Sequence, residues 1–75
     1  MARTFSSQRL RDARLARGLK PEALALRIDR SVWSIHQYER GTVTPPAPIL
    51  GVLADQLDCT VDDFFALEAV TTDAA

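Results

Sequence analysis

Two stretches with helical spacing, residues 21–28 and 32–40, are separated by only Asp29, Arg30 and Ser31. So short a connection allows a turn and nothing more, and it forces the two helices into a sharp, packed pair. Pro21 suits the first helical position, where the missing amide would have had no intrahelical partner. Leu24 and Ile28 lie four apart on one face, and small Ala25 lets a neighbour approach. Asp29 tolerates the left-handed conformation such a turn needs, though less well than glycine. Ser31 is placed to cap the helix Val32–Arg40, and Gly41 to stop it.

The rest of the chain reads the same way. Ser6 caps a first helix over 7–17 that Gly18 ends, with Leu10, Ala13 and Arg14 on its inner face. Three prolines stiffen the stretch 42–48. A fourth helix over 47–57 sets Ile49, Leu50, Leu53 and Leu57 on one face. Gly51 inside it costs up to about 1 kcal/mol against alanine unless something packs closely there. Thr60-Val61-Asp62-Asp63 reads as a capping box opening a fifth helix that ends near Leu67, with Phe64 and Phe65 as its apolar residues. The expectation is an all-α domain of five short helices and no strands.

Seventy-five residues allow one domain, and cores of this size contribute only roughly 3–5 kcal/mol, so oligomerisation or regular helices usually help. No apolar run approaches the ~18 residues of a membrane span. Met1–Ser7 leads into no apolar stretch, so no secretory signal is expected. The lone cysteine, Cys59, has no internal partner for a disulfide, as suits a reducing cytoplasm, and reads as a small core residue. One Cys and one His, His36, are too few for a four-ligand zinc site. No metal, cofactor, catalytic residue or small-molecule ligand is expected: the sequence has no nucleophile–base set, metal cluster or phosphate loop.

The net charge of -1 conceals an asymmetry. All nine bases lie at or before Arg40, among four acids, a balance of +5; six acids and no base follow, a balance of -6. Either a basic face meets an anionic partner, or folding mixes the two halves.

Several stretches together resemble the helix-turn-helix domains of the phage-repressor/Cro type, the XRE family. They are Leu10-Arg11-Asp12-Ala13-Arg14, Arg17-Gly18-Leu19, Ala23-Leu24-Ala25, Ile28, and Ser31 through Ile35. The resemblance continues through Tyr38-Glu39-Arg40-Gly41, Pro45, Leu53-Ala54, Leu57 and Thr60 through Phe65. It implies a compact lambda-repressor-like fold, with a DNA-binding domain over 1–67; beyond Phe65 the chain turns small and polar, and a mobile tail is expected over 68–75. It also implies that Val32–Arg40 is the recognition helix, lying in the major groove of double-stranded DNA. Phosphate contacts are implied for Lys20 and Pro21, and for Arg40, Thr42 and Thr44. Arg14 and Glu39 match an ion pair that ties the first helix to the recognition helix.

The residues of the third helix agree with that assignment. With Ile35 and Tyr38 turned inward, Val32, Trp33, His36 and Gln37 form a stripe on the other side. Gln37 can pair bidentately with adenine, Ser34 can bond several base edges, and Val32 can touch a thymine methyl. For Trp33, base contact, protein contact and partial core burial are all open; His36 reads as a surface residue or phosphate neighbour. Arg9, Arg11 and Arg17 either solvate the first helix or meet phosphates. Four positions depart from the family pattern. Pro21 replaces a glutamine that grips phosphate, Asp29 replaces the turn glycine, Arg30 replaces an apolar residue, and Trp33 stands where a short polar base-reader is common. Arg30 should extend outward, where its head can reach a phosphate. The expected function is a sequence-specific transcriptional regulator, cytoplasmic and of bacterial or phage type, acting as a homodimer on an operator. The rival is a protein-binding adaptor or antitoxin on the same scaffold, using the surface of Val32 and Trp33.

Overall fold

A computed structural model describes residues 3–67. The chain begins in a short strand, β1 (Arg3–Phe5), and continues through four α-helices. These are α1 (Ser7–Ala16), α2 (Pro21–Arg27), α3 (Val32–Arg40) and α4 (Ala47–Gln56). A 3-10 turn (Val61–Phe64) leads into a second strand, β2 (Phe65–Leu67). The tail expected over 68–75 lies outside the described residues.

The helix boundaries follow local chemistry. Ser6, Ser31 and Thr60 each accept, through the side chain, a backbone N–H three residues on: those of Arg9, Ser34 and Asp63. Each bond satisfies one of the donors that a helix start leaves without a partner. The Thr60 box is reciprocal, because Asp63 Oδ2 accepts the Thr60 N–H at 3.0 Å. Asp29 adopts the left-handed conformation (φ 57°) and turns α2 into α3.

The expectation of a fifth helix and no strand is corrected. Only one 3-10 turn forms after Thr60, and Phe65–Leu67 is extended instead. It pairs antiparallel with β1, in the register Arg3↔Leu67, Thr4↔Ala66 and Phe5↔Phe65. The Phe5 and Phe65 rings meet edge to face at 6.2 Å, a favoured aromatic geometry. The Ser6 N–H also donates to Phe64 O at 2.7 Å. Backbone pairing with a segment some sixty residues away therefore replaces the next helical turn.

The core draws one wholly buried side chain from each helical element: Leu10, Leu24, Ile35, Leu53 and Phe64. Burying each contributes about 1.5–3 kcal/mol. Tyr38, Ala25, Ile28, Ile49, Leu50, Ala54 and Leu57 complete the cluster, and Cys59 is half-buried against it. A Cβ built on Gly51 would meet nothing within 4 Å, so no close packing offsets its helical cost.

Folding partly mixes the two charged halves. Arg3 pairs with Asp62 at 3.8 Å and Arg17 with Asp58 at 3.6 Å, joining bases of the first half to acids of the second. Both pairs are exposed and worth about 0–1 kcal/mol. Among the described residues, Arg11, Lys20, Arg27, Arg30 and Arg40 form no such bridge. No helix of the described residues is long and apolar enough to cross a membrane.

Candidate nucleic-acid interface

Helix α3 packs on α1 and α2 through Ile35 and Tyr38, which are buried. Its opposite side is open. Trp33 is 64% exposed, which excludes core burial for it. His36 and Arg40 are exposed and Gln37 is half-buried at the edge of the same face. Val32 differs from the rest of the expected stripe: it is half-buried and packs against the core cluster. Ser34 is also half-buried, and its hydroxyl lies 3.1 Å from that of Ser31.

A cleft of about 250 Å³ opens where α1, the start of α2 and the last turns of α3 meet. It is lined by Arg11, Arg14, Pro21, His36, Glu39 and Arg40. The Arg14–Glu39 pair is buried in its wall. Arg14 Nε donates to Glu39 Oε2 at 2.6 Å, Nη2 donates to Oε1 at 3.0 Å, and Nη1 donates to Leu19 O at 2.7 Å. With Glu39 engaged in this fork, Arg11 and Arg40 leave the cleft positive. Of the phosphate-contact residues expected from the sequence, the cleft gathers Pro21, His36 and Arg40. Lys20, Arg30, Thr42 and Thr44 are exposed but do not line it.

Of the three arginines left undecided by the sequence, Arg9, Arg11 and Arg17, only Arg11 lines the cleft. Its signal was its position: it precedes Arg14 by three residues, which places it on the flank of α1 that faces α3. A larger hollow of about 560 Å³ beside the β ribbon contains Arg3 and Arg9 but also Asp62 and Asp63, so its charge does not favour an anion. Among the described residues no group of three or more His, Cys, Asp or Glu side chains is placed to hold a metal.

Two successive helices joined by a four-residue turn, the second with an open outer face beside a cationic cleft, define a helix-turn-helix protein. The chain matches the helix-turn-helix domain family across residues 7–67 and belongs to it. Solved structures of similar proteins share the fold. The restriction-modification controller protein C.AhdI from Aeromonas hydrophila is 32% identical, with a TM-score of 0.74 over 79% of this chain and 89% of that one. The P22 c2 repressor, solved in complex with synthetic operator 9T, is 27% identical, with a TM-score of 0.73 over the same shares. SinR, described as the master regulator for biofilm formation and solved in complex with DNA, has a TM-score of 0.71 over 76% of this chain and 95% of that one. At 24% identity it speaks to the fold alone. No curated protein matches the chain significantly.

Proposed function

We propose that the chain is a sequence-specific DNA-binding transcriptional regulator that binds an operator as a homodimer, with α3 in the major groove. The observation that carries this reading is the continuity of the open α3 face with the cationic cleft beside it. The operator complex of the P22 c2 repressor supports it from outside. In this reading Trp33 and Gln37 meet base edges, while Val32, packed against the core cluster, and Ser34, its hydroxyl beside that of Ser31, contribute less. Arg11, His36 and Arg40 hold one phosphate from the cleft. Lys20, Pro21, Arg30, Thr42 and Thr44 border the backbone around it. The pair of Arg14 and Glu39 keeps α1 and α3 in register so that phosphate and base contacts share one geometry. The work is done in the cytoplasm and needs no cofactor.

Selection of binding sites from a random duplex library tests the reading. The expected product is an inverted repeat with half-sites about 10–10.5 base pairs apart, centre to centre. If the dimer meets six to ten phosphates, affinity should fall by about 10³–10⁵ between 50 and 200 mM salt. A library that yields no enriched sequence, or binding insensitive to salt, overturns the reading.

A second reading is favoured by one observation. Trp33 is an exposed aromatic of the kind that anchors protein interfaces. A Trp33→Ala variant that keeps full DNA affinity and loses a protein partner would move the assignment to an adaptor.

A further inference from the structure

Gly41 ends α3 in the left-handed conformation, φ 81°, and turns the chain back along the last helical turn. Thr42 then meets Gln37 three times. Its N–H donates to the Gln37 main-chain carbonyl at 3.2 Å. Its hydroxyl lies 3.2 Å from the same carbonyl and, closer still, against Gln37 Oε1. A threonine hydroxyl has one proton to donate, and the nearer acceptor is the side-chain oxygen. One of the two lone pairs of Gln37 Oε1 is thereby engaged and the oxygen is held toward Thr42, so the end of the amide left unheld is the nitrogen with its two N–H donors.

A bidentate glutamine–adenine pair needs both ends of the amide, oxygen to N6 and nitrogen to N7. We infer that Thr42 is a specificity-determining positioning residue. It holds the Gln37 oxygen back toward the turn after α3 and leaves the nitrogen leading, and so favours acceptor edges, guanine O6 and N7 or thymine O4, over adenine. This inference rests on the DNA-binding reading above and deepens it. It also assigns Thr42 a role other than phosphate contact.

The test compares wild type with Thr42→Val, which keeps the branched shape and loses the hydroxyl, with Thr42→Ser, which keeps the hydroxyl, and with Gln37→Ala. Each is put through duplex site selection and a salt titration. Wild type should require guanine or thymine at one position of each half-site, and Gln37→Ala should lose the preference there. Thr42→Val should admit adenine at that position with at least about a fivefold gain relative to wild type, at an unchanged salt slope. Thr42→Ser should behave as wild type. Selection of adenine or cytosine by wild type at the position that Gln37→Ala relaxes would overturn the inference. So would a Thr42→Val protein with unaltered base preference, or one whose salt slope alone falls by about one, the signature of a lost phosphate contact.

A measurement on the free protein separates this inference from the DNA-binding reading. The NMR order parameter of the Gln37 side-chain amide should fall in Thr42→Val and recover in Thr42→Ser. If wild type selects no DNA, the DNA-binding reading and the base preference fall together, while the restraint of Gln37 by Thr42 is still decided here. An amide equally mobile in all three proteins overturns the inference whatever the DNA result.

Discussion

Arg14 and Glu39 form a two-pronged ion pair between α1 and α3, with N–O distances of 2.6 and 3.0 Å and side chains only 8% and 10% exposed. A third bond from Arg14 to Leu19 O ties in the loop that precedes α2. One arginine thus fastens three elements that must keep a common geometry. Removing one partner leaves an unpaired charge in a nearly buried site, which typically costs about 3–5 kcal/mol. Glu39→Ala should therefore lose about that much stability in urea unfolding. Replacing both residues with apolar ones of similar volume, Arg14→Met with Glu39→Leu, should recover most of it. A single variant that loses less than about 1 kcal/mol would place the pair in the class of exposed bridges.

Gly41 should be among the least replaceable residues outside the core. Its φ of 81° is a conformation that side chains disfavour by about 1–2 kcal/mol. A Cβ there would also stand 3.3 Å from Ser7 Oγ on α1. Gly41→Ala should lower the melting temperature by roughly 4–8 °C per kcal/mol lost, as for other domains of this size. An unchanged melting temperature would mean that the turn after α3 relaxes freely.

Gly51 is the opposite case. It sits inside α4 with open space where a Cβ would go and without a left-handed backbone. Gly51→Ala should stabilise the fold by about 0.4–1 kcal/mol, chiefly by restricting the unfolded chain. A loss of stability in thermal melts would show that another molecule, such as a second copy of the chain, needs that space.

Burial pushes the Cys59 thiol above its ordinary value, and Asp63 and Asp58 push the same way, with Arg17 opposing them weakly. The thiolate is the reactive form. Alkylation of the folded protein at pH 8 should therefore run slower than that of the urea-unfolded chain, and the difference should narrow as the pH rises. The linkage has a matching sign. The folded state holds its thiol proton to higher pH, so this group's contribution to stability is present below the ordinary thiol range and is lost as the pH rises through the raised value. Equal alkylation rates at pH 8 would contradict the shift.

What the sequence determined by itself is what neighbours in the chain settle between them. Ser6, Ser31 and Thr60 cap backbone donors three residues on, and Asp29 turns within its own two peptide units, so each was legible from spacing alone. The inward face of α3 followed in the same way from Ile35 and Tyr38, three apart. The β ribbon was not legible. Three-residue strands carry no periodicity, and Phe65 is extended because Phe5 waits sixty residues earlier in the chain. The same holds for the cleft that joins Arg11 to His36 and Arg40, and for Arg17 reaching Asp58. Val32 had the spacing of an outward-facing residue, yet it is half-buried and packs against the core that the helices share. Tertiary structure decided these because each depends on where two distant segments are brought together, and that position is set by the shared core rather than by either segment's own preference.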